Sequence, residues 1–90
     1  MIEKPWYLYI LECRDGSLYT GITDNLTKRL AAHIAGKGAK YTRGRGPLFL
    51  RYQEICASHS DALKRELAVK KLSRVEKLNL IANNKSTLQE

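Results

Sequence analysis

The sequence predicts an α/β domain in which a small three-stranded, mainly antiparallel sheet is flanked by helices, in the order β-β-α-β-α-α. Three observations lead to this fold class. Two aromatic-rich runs flank a turn signature, a third strand-like run follows later, and segments of helical periodicity come before and after that third run. A sheet of three strands cannot shield itself from water, so the helices are needed to cover it.

The first two strands are predicted at residues 6–13 and 17–23. Aromatic and aliphatic side chains dominate both runs, and residues 14–16 supply the polar and glycine residues typical of a tight turn. The two runs are therefore expected to form a β-hairpin.

The length of the hairpin turn decides which tyrosines share a face of the sheet. With Gly16 in the left-handed conformation of a three-residue loop, Tyr9 pairs with Gly21, and Tyr19 lies diagonally across from Tyr9 on the same face. A two-residue turn of Asp15 and Gly16 would instead place the two tyrosines on opposite faces. Each tyrosine taken alone is also an ordinary strand aromatic.

The first helix is expected to follow a cap at Asp24 or Asn25 and to end at Gly36. Its predicted buried stripe consists of three apolar residues at helical spacing: Leu26, Leu30 and Ile34. Arg29 and His33 are four residues apart and are predicted to lie along the border of that stripe.

The third strand is predicted at residues 47–56, and Ser58 with Asp61 forms a capping box for a second long helix. Four residues supply the apolar side of this helix: Ala62, Leu63, Leu67 and Val69. A short final helix is expected at about residues 74–82, followed by a frayed polar tail at residues 83–90.

A glycine-rich basic segment at residues 37–46 precedes the third strand and lacks periodicity, which predicts a loop or a short irregular helix. Interleaved cations, glycines and an aromatic residue are typical of a surface that follows phosphates, although a solvated loop without a ligand has the same composition. The candidate nucleic-acid-binding residues are five from this segment and one from the second helix: Lys37, Lys40, Tyr41, Arg43, Arg45 and Lys70.

Charge favours a polyanionic partner. The chain has 16 Lys and Arg against 9 Asp and Glu, a net charge of +7, and a pI near 9.7, so nucleic acid is the leading class of partner. Ninety residues leave room for one core, and a single domain is predicted over residues 1–90, with its core at about 5–82. A basic helix with exposed aromatics, the mark of a membrane-surface protein, is missing from the sequence.

A cytoplasmic location is expected, because the apolar run at residues 6–11 is too short to span a bilayer and the start of the chain lacks a signal-peptide pattern. Cys13 and Cys56 have no CxxC spacing and are interpreted as small buried hydrophobes. Together with His33 and His59 they offer no pair at zinc-ligand spacing.

At the hairpin, Tyr7, Leu8 and Tyr9 followed by Tyr19, Thr20 and Gly21 resemble the GIY…YIG signature of the GIY-YIG nuclease superfamily. The resemblance extends over about residues 5–82 and is nearest to the small stand-alone bacterial members. It includes residues 21–26 and three later positions: Arg29, His33 and Glu66. Tyr7 stands where the signature has its first glycine, and Asn79 is the nearest counterpart of an asparagine that often follows the metal-ligand helix.

The resemblance implies a nucleic-acid-binding phosphodiesterase, an endonuclease that uses one Mg²⁺ or Mn²⁺ ion, with DNA repair or processing as the expected setting. DNA is favoured over RNA as the partner, and the choice between them stays open. It implies that Glu66 is the metal ligand and that Arg29 stabilises the developing negative charge. It gives Tyr19 the water-activating role, with Tyr9 positioning the phosphate and His33 assisting.

Glu66 is also singled out by its position on the second helix. On a helical wheel it falls inside the apolar stripe, where a carboxylate is costly unless it is paired or bound to a metal. Lys70, four residues later, offers the ordinary alternative of a helix ion pair.

Two other classes of function fit the same residues. One is a non-catalytic nucleic-acid-binding module, which would bind but never cut. The other is a protein-interaction domain that presents its basic face to an acidic partner, and strongly salt-dependent binding to DNA would exclude it. The sequence leaves open the oligomeric state and the form of nucleic acid that is cut.

Overall fold

The computed structural model describes the backbone of residues 4–37 and 46–88. It has three strands in one sheet and three helices, in the predicted order β-β-α-β-α-α, which confirms the α/β class. The elements are β1 Trp6–Glu12, β2 Leu18–Thr23, α1 Leu26–Ile34, β3 Phe49–Cys56, α2 His59–Lys70 and α3 Arg74–Leu88.

The hairpin has the three-residue turn. Gly16 has φ of 87°, its N–H donates to the carbonyl of Cys13 at 2.9 Å, and the Cys13 N–H donates to Ser17 at 2.9 Å. A residue without a Cβ is favoured there, because the left-handed region disfavours L side chains. Tyr9 consequently pairs with Gly21, as predicted for this turn.

The sheet has the strand order β2-β1-β3, and β1 pairs antiparallel with both neighbours. The third strand begins at Phe49, two residues later than the predicted start. Pro47 lacks the N–H that a ladder requires, which explains the later start. Ile10 pairs with Tyr52 and Leu11 with Leu50, so the bulge leaves Arg51 between them as the extra residue.

The main core lies on one face of the sheet. Leu8 and Ile10 of β1 pack with Ala62 and Val69 of α2, and all four are fully buried. Tyr9 alternates with Leu8 and Ile10 and contacts α1 through His33. The two faces of β1 therefore serve different purposes, packing on one side and a polar cluster on the other.

The predicted buried stripe of α1 is wrong at its last position. Ile34 is 74% exposed, whereas the neighbouring His33 is 2% exposed. The face that α1 covers carries a tyrosine hydroxyl, and the imidazole bonds to it at 2.9 Å. A polar side chain can be buried where such a partner exists.

The apolar side of α2 is narrower than predicted. Ala62 and Val69 are buried, but Leu63 is 41% and Leu67 is 60% exposed. Ala62, Glu66 and Val69 follow one another at spacings of four and three residues, so a single stripe of the helix faces inward. The two leucines lie beside that stripe.

The final helix is longer than predicted, because α3 continues to Leu88 instead of ending near residue 82. Residues 83–88 contain neither glycine nor proline, so no helix breaker stops it. The helix starts with a capping box that the sequence reading missed. The Glu76 N–H donates to Ser73 Oγ at 3.1 Å, and the Ser73 N–H donates to Glu76 Oε1 at 2.8 Å.

The other two helices also begin at side-chain caps. Asn25, not Asp24, accepts from the Lys28 N–H at 3.1 Å, and Ser58 accepts from the Asp61 N–H at 3.1 Å.

Cys13 and Cys56 are free and buried, as predicted. Among the residues with described placement, no helix has the length and apolar character needed to cross a bilayer.

Candidate functional site

Tyr9 and His33 form the buried centre of the candidate site. Tyr9 is fully buried, and its hydroxyl lies 2.9 Å from Nε2 of His33. Strand β1 delivers the phenol and α1 delivers the imidazole, so the pair joins residues 24 positions apart in the chain. With Nδ1 of His33 protonated, Nε2 accepts the proton of the Tyr9 hydroxyl.

Gly21 leaves the space that Tyr9 occupies. A Cβ at position 21 would lie 2.6 Å from the Tyr9 hydroxyl oxygen and 3.1 Å from a ring carbon of Tyr19. Both distances are shorter than ordinary van der Waals contact. A residue with any side chain at this position would push the two phenols out of their places.

Tyr19 completes a group of three rings. Its ring centroid lies 6.4 Å from that of Tyr9 and 5.4 Å from that of His33, with both pairs tilted. Tyr9 and Tyr19 lie on the same face of the hairpin, which confirms the register predicted for a three-residue turn.

Arg29 lies one turn before His33 on α1 and binds both phenols. Its side-chain hydrogen bond to Tyr9 raises the pKa of the guanidinium, partial burial opposes the rise, and a further hydrogen bond to Tyr19 adds to it. Arginine is charged at every physiological pH. The cluster therefore holds a permanent cation beside its two phenols.

The cluster shifts the titration of its buried members in opposite directions. Burial raises the pKa of the Tyr9 phenol, and this outweighs the hydrogen bond from Arg29 that lowers it. Burial, followed by the positive charge of Arg29, lowers the pKa of His33. Tyr9 is consequently protonated and His33 neutral at neutral pH.

Glu66 of α2 lies at the margin of this cluster. Its side chain is only 17% exposed, and its carboxylate is one of the causes that raise the pKa of Tyr9. Oε2 of Glu66 lies 3.2 Å from Nζ of Lys70, the helix pair considered above. The structure thus brings four predicted residues into contact and places the fifth within electrostatic range of them.

The predicted nucleic-acid-binding residues have different outcomes. Lys37 is exposed beyond the end of α1. Lys70 forms an ion pair with Glu66, so its ammonium group also has a partner within the protein. Four of the predictions lie outside the described residues: Lys40, Tyr41, Arg43 and Arg45.

A groove of about 250 Å³ runs beside Arg29, and sequence reasoning did not single out its other lining residues. They come from the end of β2 and the first turns of α1: Thr23, Asp24, Asn25, Lys28 and Ala32. Lys28 is exposed and directly precedes Arg29 in the sequence. This pair of adjacent cations could have indicated that Lys28 lies in the same groove. The groove gives Arg29 an approach from solvent.

A larger hollow, of about 330 Å³, lies next to that groove and shares Asp24 and Asn25 with it. Tyr7 and Gln53 contribute to its wall, whereas none of the five predicted catalytic residues does. The size of the hollow therefore does not mark the polar cluster, whose titratable groups lie elsewhere. Of the two residues noted above as departures from the GIY…YIG pattern, Tyr7 is half-buried and Asn79 is exposed on α3.

The donor groups at the site restrict which metal could bind. Within residues 4–37 and 46–83, whose side chains are described, no three His, Cys, Asp or Glu residues come together as a ligand set. Glu66 offers a largely buried carboxylate beside the cluster. A hard divalent cation that keeps several waters and takes its remaining oxygens from substrate fits such a site, and a four-ligand zinc site does not.

A profile of the GIY-YIG catalytic domain matches residues 5–79. A UPF0213 protein of Cupriavidus pinatubonensis is 53% identical over 81 residues, covering 90% of each chain. A UPF0213 protein of Clostridium perfringens is 56% identical over 77 residues, covering 86% of this chain and 83% of its own.

Two solved structures have a similar fold. The NMR structure of the UPF0213 protein BH0048 from Bacillus halodurans is 49% identical, has a TM-score of 0.57, and matches 87% of this chain and 83% of its own. The NMR structure of a protein from E. faecalis is 37% identical, has a TM-score of 0.60, and matches 99% of this chain and 92% of its own.

Proposed function

Because the chain belongs to the GIY-YIG catalytic domain family, we propose that it is an endonuclease that hydrolyses nucleic-acid phosphodiester bonds with one divalent metal ion. The observation that carries this proposal is the buried Tyr9–His33 hydrogen bond, with Arg29 bonded to the same phenol. Two phenols, an imidazole and a guanidinium meet in one cluster, and its centre, Tyr9 and His33, is buried. Such clusters are typical of functional sites.

Arg29 is the residue that binds and stabilises the scissile phosphate. Its guanidinium is held by both tyrosines and borders the groove that opens to solvent. Fixed donors of this kind stabilise the negative charge that develops on the phosphoryl oxygens during hydrolysis. Lys28, exposed in the same groove, supports the neighbouring phosphate.

Glu66 is the residue that holds Mg²⁺ or Mn²⁺, since its carboxylate lies beside the cluster and is largely withdrawn from solvent. When bound, the ion supplies Lewis acidity at the scissile phosphate and its leaving oxygen. The protein's part is to present one oriented carboxylate and to leave the ion's other positions for water and phosphate.

The remaining residues divide the work of positioning and proton transfer. Tyr9 keeps its proton, because its pKa is raised, and it positions the phosphate through Arg29, to which its phenol is hydrogen-bonded. Tyr19, bonded to Arg29, activates the attacking water. His33 is neutral because burial and the charge of Arg29 lower its pKa, and it assists by accepting a hydrogen bond from Tyr9 and so holding that phenol in place.

The proposed partner is nucleic acid, DNA rather than RNA, in the bacterial cytoplasm and in a repair or processing role. The net charge of +7 supports a polyanionic partner. The family supports DNA as the substrate and cleavage as the reaction. No membrane partner is proposed.

A cleavage assay on end-labelled nucleic acids tests the proposal. The purified protein is incubated with single-stranded, duplex and branched DNA and with RNA, in Mg²⁺, in Mn²⁺ and in EDTA. We expect cleavage that EDTA abolishes and that Arg29→Ala removes. Salt-dependent binding without cleavage of any substrate would identify a non-catalytic nucleic-acid-binding module instead.

A further inference from the structure

The ion pair between Lys70 and Glu66 joins a half-exposed cation to a carboxylate that borders the polar cluster. Nζ of Lys70 lies 3.2 Å from Oε2 of Glu66, and the side chains are 51% and 17% exposed, respectively. The contact therefore occupies the carboxylate that, under the proposed function, is the metal ligand.

We infer that Lys70 is a built-in competitor for the metal, an ammonium that neutralises Glu66 in the metal-free protein and must leave before a divalent cation binds. This inference rests on the proposed function and concerns the regulation of the same site. It assigns Lys70 a role beyond contact with a nucleic-acid backbone.

The need for such a cation follows from burial. A carboxylate that is largely withdrawn from water and lies near a raised-pKa phenol is unfavourable without a positive partner. Within the part of the chain that the structure describes, no group of three or more His, Cys, Asp or Glu residues is gathered that could hold a cation in the absence of substrate. Lys70 meets this need while the metal is absent.

The geometry also makes the competitor easy to displace. The two residues are four apart on α2, with Glu66 toward the N-terminus. An ion pair in this orientation is favourable in a helix, but it stabilises the helix only weakly. Lysine's flexible four-carbon stem allows the ammonium to rotate into solvent or toward a phosphate without movement of the backbone. A divalent cation then replaces a monovalent one at Glu66.

The experiment measures Mn²⁺ binding by isothermal titration calorimetry, with no nucleic acid present. Four proteins are compared: wild type, Lys70→Met, Lys71→Met and Glu66→Gln. Methionine retains much of the lysine stem and its helix propensity while removing the charge. Lys71 is the matched control, since it is an exposed lysine at the end of the same helix. Circular dichroism establishes that all four are folded.

We expect Lys70→Met to bind Mn²⁺ about twofold to fivefold more tightly than wild type, the factor by which exposed ion pairs bias an equilibrium. Lys71→Met should change the affinity by less than about 1.5-fold, because a solvent-screened charge acts weakly. Glu66→Gln should lose the binding. Wild type that binds too weakly to detect, beside a Lys70→Met protein that binds, also supports the inference.

Two results overturn the inference alone. Equal affinities of wild type and Lys70→Met, with binding lost in Glu66→Gln, would leave Glu66 as the ligand and remove Lys70 as its competitor. Equal tightening by Lys70→Met and Lys71→Met would reduce the effect to overall charge. Absence of Mn²⁺ binding from all four folded proteins would overturn the inference together with the metal role of Glu66.

Discussion

Replacing Gly21 with alanine is expected to displace Tyr9 and to destabilise the domain. The added Cβ would lie 2.6 Å from the Tyr9 hydroxyl oxygen and 2.8 Å from the ring carbon that carries it. To reach an ordinary separation of 3.4 Å, the hydroxyl has to move by about 0.8 Å. Moved directly away from His33, it would be about 3.7 Å from Nε2, beyond hydrogen-bond range.

The expected loss of stability is about 1–2 kcal/mol. Overpacking of a buried site costs about 1–3 kcal/mol, and replacing glycine in a strand returns about 0.5–1 kcal/mol through the unfolded state. For a domain of this size, the melting temperature should fall by about 4–15 °C. The cleavage rate should fall even at temperatures where the variant is fully folded, because the added Cβ displaces both Tyr9 and Tyr19.

Thermal unfolding followed by circular dichroism measures the effect, with Gly46→Ala as the control, since among the described residues, chain neighbours aside, no atom lies within 4 Å of a Cβ added there. The double variant Gly21→Ala, Tyr9→Phe should recover part of the loss, because it removes the atom in closest contact. A Gly21→Ala protein with an unchanged melting temperature and full activity would refute the close-packing argument and the positioning role of Tyr9.

Three further predictions concern charge. Glu66→Gln should abolish metal-dependent cleavage but retain the fold and most nucleic-acid binding, because it removes the charge that a hard cation needs and keeps the shape; equal cleavage by both proteins would contradict this. Neutralising four cations should weaken nucleic-acid binding about uniformly across sequences and flatten its salt dependence, whereas unchanged affinity in fluorescence anisotropy would place the binding surface elsewhere. Those cations are Lys37, Lys40, Arg43 and Arg45. Because the folded pKa of His33 is lowered, the unfolded chain binds more protons below about pH 6.5, so the free energy of unfolding should fall as pH drops through that value. In urea titrations His33→Gln should show a shallower pH slope than wild type, and an unchanged slope would assign the pH dependence to other groups.

Most of the local structure was predictable because it depends on neighbours in the chain. Gly16 permits the three-residue turn, Asn25 and Ser58 cap helices, and Gly36 with φ of 78° ends α1. Each of these effects acts over a few residues. The element order followed from them and was confirmed.

The errors occurred where packing between elements decides exposure. Periodicity predicted Ile34 as buried and His33 as bordering, but a hydroxyl partner on β1 reversed the two. Leu63 and Leu67 are apolar yet exposed, because α2 approaches the sheet through Ala62 and Val69. Hydrophobicity alone does not encode the angle at which a helix meets a sheet.

The candidate site shows the same division. The sequence by itself limited the hairpin to two registers, because the period of a strand is two residues and the turn sets its phase. The three-residue turn, with Gly16 at φ of 87°, selected the register in which Tyr9 and Tyr19 share a face. Only the tertiary structure decided that the Tyr9 hydroxyl meets His33, that Arg29 bonds to both phenols, and that Glu66 lies near them while paired with Lys70. These contacts join three elements across the chain, and they arise from the packing of α1 and α2 on the sheet, which local residue preferences do not specify.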